Sequence, residues 1–167
     1  MSHILFVCTG NICRSPMAAG LLRAGLLEAG LSAACTVESA GIHAVVGAPA
    51  TARASKVAAS YRADISAHAA RTFETRDFQR FELIIAMDSG HLDFLRQVRP
   101  ASYTGEVTLL SAAQGERKLE IADPYGRSSR AYERAARLIA EGVGVILAGM
   151  LERASAARLP KLSGRGR

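Results

Sequence analysis

Val7-Cys8-Thr9-Gly10-Asn11-Ile12-Cys13-Arg14-Ser15-Pro16-Met17 lies where one hydrophobic period gives way to another, and the fold follows from that change. Before it, His3-Ile4-Leu5-Phe6-Val7 is an apolar, partly β-branched run of strand length; after it, Met17, Leu21, Leu22 and Leu26 recur at helical spacing. A loop joining a buried strand to a helix is expected, with Ser15 as the N-cap and Pro16 at the first helical position. Such a helix end aims unpaired N–H groups back at the loop and attracts an anion. Gly10 permits backbone angles closed to other residues and Asn11 tolerates the left-handed region. Successive N–H groups of Thr9–Ser15 can therefore turn inward as a nest sized for a phosphate dianion.

Arg14, six residues after Cys8, returns at the far end of this phosphate-binding loop, where its planar fork can hold two phosphate oxygens. Cys8 sits beneath that position, and the helix end, the inward N–H groups and Arg14 all favour its thiolate, a nucleophile at neutral pH. The Ser15 hydroxyl can donate to the sulfur. Taken singly, a cysteine at a strand end is a small buried hydrophobe and an arginine at a helix start a solvated charge. Cys, five residues, then Arg-Ser-Pro, set between strand and helix with Gly and Asn inside, is a far more specific combination. Cys13 lies five residues from Cys8 on the same tight loop, so a disulfide is sterically reasonable and Cys13 is the expected redox partner.

Working outward, 167 residues suffice for one domain with a proper core. We expect that domain to span residues 1–157, followed by a basic, disordered tail at 158–167. Three cysteines, no basic leader and no long apolar start point to the cytoplasm, where Cys8 stays reduced. The longest apolar run, Val143–Leu151, is too short to insert across a membrane. The net charge of +6 invites nucleic-acid binding, but Arg158, Lys161, Arg165 and Arg167 supply four of those charges in a stretch without acids. That tail has no aromatic side chain on which a base could stack, so no nucleic-acid partner is expected. The rival reading would predict salt-sensitive binding lost on removing the residues after Leu159. No Gly-x4-Gly-Lys-Ser/Thr, Gly-x-Gly-x-x-Gly or zinc-spaced Cys/His cluster occurs, and the sequence points to no metal and no cofactor.

Further strands are predicted at Cys35–Ser39, Glu82–Met87 and Glu106–Leu110, with helices from Met17 to Glu28, from Thr51 to about Arg62, over Ser89–Val98 capped by Asp88, and over Ser128–Ala156. Strands alternating with helices imply right-handed crossovers. The expected fold is α/β: a single-domain, three-layer α/β/α arrangement with a four-stranded parallel sheet and the phosphate loop after its first strand. Ligands of such sheets bind beyond the carboxyl ends of the strands, where Cys8 falls.

The loop resembles that of the low-molecular-weight protein tyrosine phosphatases. Glu38-Ser39-Ala40-Gly41, Ala67-His68-Ala69-Ala70-Arg71, Leu83-Ile84-Ile85-Ala86-Met87-Asp88 and Asp123-Pro124-Tyr125-Gly126 resemble that family's later blocks in the same order. The similarity is greatest to bacterial members paired with tyrosine autokinases of polysaccharide export. It implies hydrolysis of phosphotyrosine in proteins through a phosphocysteine, with Asp123 as general acid and base, Tyr125 lining the cleft and stacking on the substrate ring, and residues 43–49 forming a wall. It further implies that Ser39 ties down Asn11 and that His68 supports the loop. Read alone, Ser39 is equally a strand-end hydroxyl bonded to local backbone, His68 a structural histidine, and Asp-Pro-x-Gly a turn. The implied partner is a phosphotyrosine protein such as an autokinase tail, and the product is inorganic phosphate. Arsenate reductases of similar architecture carry further cysteines in the second half of the chain, and none follows Cys35 here. Protein arginine phosphatases are the nearer rival; by resemblance they carry threonine where this chain has Ile12.

Overall fold

The computed structural model describes residues 1–114 and 120–158. Its elements run β1 (Ser2–Cys8), α1 (Arg14–Glu28), β2 (Cys35–Gly41), α2 (Ala52–Ser60), α3 (Asp77–Arg80), β3 (Leu83–Ala86), α4 (Ser89–Val98), β4 (Glu106–Leu109) and α5 (Ser129–Arg158). All strand pairs are parallel, in the order β2-β1-β3-β4, so the chain reverses its direction of winding beside β1. The α/β class and four-stranded parallel sheet are those expected. The anticipated tail lies outside the described residues except for Arg158, which ends α5.

The period-2 alternation of β1 makes the layers. Ile4, Phe6 and Cys8 enter one core with Met17, Leu22 and Leu26 of α1 and Tyr132, Ile139 and Val143 of α5. Leu5 and Val7 enter the other, with Phe73, Phe78, Phe81 and Leu95. Residues Ile4 to Cys8 are all buried, as a central strand covered on both faces requires. Cys8 thus ends a strand that is immobilised on both faces and paired on both edges.

The start of α1 differs from expectation. Helical geometry begins at Arg14, Cys13 is the capping residue and contributes no side-chain cap, and Ser15 lies inside the first turn. Its hydroxyl is used elsewhere, meeting Cys8 Sγ at 2.9 Å and accepting from Asn11 Nδ2 at 2.9 Å. Pro16 still lacks only a first-turn N–H that needs no helical partner. By contrast, Thr51 caps α2 by accepting from Ala54 N at 3.2 Å, and Asp88 caps α4 by accepting from His91 N at 3.0 Å. Among the described residues no helix is long and apolar enough to cross a membrane.

Candidate active site

Residues 8–13 form a loop whose carbonyl oxygens are consumed from outside. Ile42 N donates to Cys8 O at 2.9 Å, His43 N to Thr9 O at 3.0 Å, Val45 N to Gly10 O at 3.1 Å and Thr51 N to Ile12 O at 2.9 Å. His68 Nε2 donates to Asn11 O at 2.7 Å, and Met17 N closes on Cys13 O at 3.2 Å. Each peptide unit with its carbonyl held outward turns the next N–H inward. None of the backbone N–H groups from Gly10 to Cys13 donates to another described residue. Gly41 makes this approach possible, since a Cβ there would collide with the Thr9 carbonyl oxygen and press on Asn11.

Asn11 carries the backbone strain of the turn, at φ +56°. Its side chain is fully engaged: Nδ2 donates to Ser15 Oγ and Ser39 Oγ, both at 2.9 Å, and Oδ1 accepts from Arg71 N at 2.9 Å. Arg71 is in turn held by Glu38 at 3.0 Å and by the buried Asp77 at 2.9 Å. Burial lowers the pKa of His68, against the pull of the Asn11 carbonyl, which keeps the ring neutral with its Nε2 proton on that oxygen.

Arg14 is almost fully buried. One terminal nitrogen donates to Asp88 Oδ2 at 2.8 Å and to Ile121 O at 2.9 Å, and the other faces Asp123 Oδ2 at 3.1 Å. Burial opposes the charge on Asp88, but the His91 ring and backbone N–H together with Arg14 outweigh it, so the carboxyl is held well below the usual range. The Asp88 side chain therefore does more than cap α4: one oxygen serves the helix while the other fixes the guanidinium. His91 extends the link, with Nε2 at 2.8 Å from Thr9 Oγ1 and Nδ1 at 2.8 Å from Asp88 Oδ1, the latter off the line of a hydrogen bond. Both ends of the loop are in this way referred to the start of α4. The sequence reading missed this, because Arg14 and Asp88 are separated by 74 residues and the cap was a sufficient local explanation for the aspartate.

Cys13 Sγ lies 3.4 Å from Tyr132 OH and 3.5 Å from Thr51 Oγ1. Burial pushes its thiol up, only partly offset by those two hydroxyls. Both cysteines are free. Over Cys8 opens a cavity of about 230 Å³ whose rim includes Ile12, His43, Val45, Asp123 and Tyr125. Residues 43–49 thus contribute His43 and Val45, while Val46 is exposed. Tyr125 is 63 % exposed, and its N–H donates to Asp123 Oδ1 at 3.1 Å. A larger hollow of about 630 Å³ beside His3, Glu82 and Gly105 opens at the opposite ends of the strands and brings together no cysteine.

A nest of N–H groups with no acceptor among the described residues, set around a buried cysteine, closed by a buried arginine and faced by one carboxylate, is a site for a tetrahedral oxyanion that can be attacked. Residues 3–156 match the family described as low molecular weight phosphotyrosine protein phosphatase, and the chain belongs to it. It is 38 % identical over 162 residues to the low molecular weight protein-tyrosine-phosphatase Etp of Escherichia coli K12, covering 97 % of this chain and 95 % of that protein. The structure of Vibrio vulnificus Wzb in complex with benzylphosphonate matches with a TM-score of 0.77 at 32 % identity, over 89 % of this chain and 98 % of that one. A mutant of the YwlE arginine phosphatase with a phosphorylated active-site serine matches with a TM-score of 0.79 at 26 % identity, over 89 % and 95 %.

Proposed function

We propose that this phosphatase hydrolyses phosphotyrosine in proteins by two displacements on Cys8. The phosphate dianion enters the nest, and Arg14 turns its outer nitrogen from Asp123 to a phosphate oxygen. That exchange frees the carboxyl to face the ester oxygen. Cys8 Sγ forms a bond to phosphorus as the phosphorus–oxygen bond breaks, and Asp123 gives its proton to the departing phenolate. Asp123 then takes a proton from water, whose oxygen bonds to phosphorus as the sulfur–phosphorus bond breaks, releasing inorganic phosphate and the thiolate. The N–H groups of the loop and Arg14 stabilise the charge on the three transferring oxygens. Ser15 turns its one proton from the Ala40 carbonyl to the sulfur while that is a thiolate, since its oxygen already accepts from Asn11. The observation that carries this reading is that the backbone N–H groups from Gly10 to Cys13 donate to no other described residue, on a loop that lines one cavity together with Cys8 and Arg14.

An aryl ester is favoured by the rim. Ile12, Val45 and Tyr125 offer apolar or aromatic surface at the mouth, which suits a phenyl ring better than a guanidinium. The Vibrio neighbour is solved with benzylphosphonate, a phosphonate on a benzyl group. The rival is phosphoarginine, on the strength of the YwlE match. Both peptides, assayed in parallel, test the reading: the wild type is expected to show the higher kcat/KM on phosphotyrosine, and Ile12→Thr to narrow the gap. A pocket change of this size is worth about 1–3 kcal/mol, so the preference shifts by roughly 10- to 200-fold and is not abolished. A wild type that favours phosphoarginine would overturn the substrate and leave the chemistry of Cys8 standing.

The biological substrate in this reading is the tyrosine-rich tail of a bacterial autokinase, reached from the cytoplasm, where Cys8 remains reduced. Cys13 acts there as redox guard: an oxidised Cys8 condenses with the neighbouring thiol, losing water to form a disulfide that a dithiol reduces. After peroxide, the wild type should recover more activity with dithiothreitol than Cys13→Ser. Equal recovery would remove Cys13 from that role.

A further inference from the structure

The flank between α2 and the first turns of α5 carries cations that the structure leaves unbalanced. Arg130, Arg134 and Arg137 share one face of α5 by their spacing and, with Tyr61 at the end of α2, line a cleft of about 400 Å³ in which Glu133 is the lining acid. Arg53 adds an exposed cation on α2, and Arg127 lies in the turn after Tyr125, where its N–H donates to Pro124 O at 3.0 Å. Among the described residues none of these five cations is in an ion pair, whereas Arg14, Arg62, Arg71, Arg76 and Arg80 each are.

The strip is continuous with the active site. Thr51 at the start of α2 bonds Ile12 O through its N–H, and its hydroxyl donates to Tyr132 OH at 3.3 Å, so the loop, α2 and α5 meet at one point. Arg127 and Arg130 follow closely in the chain on Asp123 and Tyr125 of the mouth. We propose that this surface docks an anionic segment of the phosphotyrosine substrate, carrying carboxylates or a second phosphate; the inference rests on the phosphatase reading above. The rise along α2 from Thr51 to Tyr61 is about 15 Å, which an extended peptide spans in about four or five residues, and this places the anionic groups at that remove from the phosphotyrosine. A single-stranded nucleic acid fits the strip less well, because Tyr61 is the one aromatic ring in the cleft and stacking needs a series of them.

Exposed charge pairs are individually weak and screened by salt, so the three arginines of the cleft together are expected to give about tenfold in kcat/KM at low ionic strength and little at high salt. The test uses phosphotyrosine peptides of equal length with glutamine, glutamate or a second phosphotyrosine four and five residues from the scissile one. They are assayed with the wild type, an Arg134→Glu/Arg137→Glu double variant and its milder Arg134→Gln/Arg137→Gln counterpart. The wild type should favour the anionic peptides, and the relative advantage of glutamate and phosphate identifies the group bound. Both variants should lose that preference while turning over 4-nitrophenyl phosphate and the glutamine peptide as before. A wild type that hydrolyses all the peptides without regard to charge, or variants that keep the preference, would overturn the docking surface and leave the phosphatase reading intact. Variants that lose only the binding of a single-stranded oligonucleotide would assign the strip to nucleic acid and overturn it likewise. A wild type that hydrolyses none of the peptides would overturn both.

Discussion

Cys8→Ser is expected to lower turnover of phosphotyrosine peptides and of 4-nitrophenyl phosphate by about 10⁴-fold or more, while leaving inorganic phosphate or vanadate bound with little loss. The reason lies in what surrounds the sulfur. A thiolate is a nucleophile without help, but a serine hydroxyl needs a base to remove its proton, and the side chain in contact with Cys8 Sγ is the hydroxyl of Ser15, itself a donor. The anion site, in contrast, is made of backbone N–H groups and Arg14, none of which changes. Initial rates and phosphate inhibition measured on one preparation separate the two effects. Activity near that of wild type would show that Cys8 is not the nucleophile; parallel loss of phosphate binding would show that the sulfur also holds the loop in shape.

The second large effect is expected at Asp123. Protonation of a leaving group by a positioned acid is worth about 10²–10⁴-fold, so Asp123→Ala should lose that much on phosphotyrosine and on alkyl phosphates. It should lose little on 4-nitrophenyl phosphate, whose phenolate departs without a proton. The dependence on leaving group distinguishes an acid from a merely structural residue, which matters here because Asp123 also pairs with Arg14 at 3.1 Å. If its main work were to hold the guanidinium, the loss would be the same for every ester. The Asp88 contact makes that outcome unexpected, since it and the Ile121 carbonyl already orient the other nitrogen of Arg14.

The two effects divide the site into parts with different origins. Binding belongs to backbone geometry, and a nest of N–H groups survives most side-chain changes provided Gly41 and Asn11 keep the loop closed. Chemistry belongs to the side chains of Cys8 and Asp123, which lie far apart in the sequence. Arg14 serves both parts, and the structure correspondingly gives it the most elaborate support: a buried position, two fixed acceptors on one nitrogen, and a link through Asp88 and His91 to Thr9 at the other end of the loop.

Much of this was legible in the amino-acid order because it depends on neighbours in the chain. The change from alternating to helical periodicity around Cys8 placed the loop, and the run Ile4–Val7 marked a strand buried on both faces. Asparagine at position 11 announced the turn, since few other residues tolerate its left-handed angles; Gly10, expected to share that role, does not adopt a positive φ. Thr51 and Asp88 announced the helices they cap, because a cap is satisfied within three residues. Tertiary structure decided what depends on competition between distant partners. Ser15 has the chemistry of an N-cap, yet Cys8, Asn11 and Ala40 compete for its hydroxyl, and helical geometry starts at Arg14 instead. The inward N–H groups of the loop follow from residues 42–51 and His68 taking its carbonyls, and the aim of Arg14 from Asp88, Ile121 and Asp123. Those contacts cross tens of residues and leave no periodic trace, since a hydrogen bond constrains position in space and not separation along the chain.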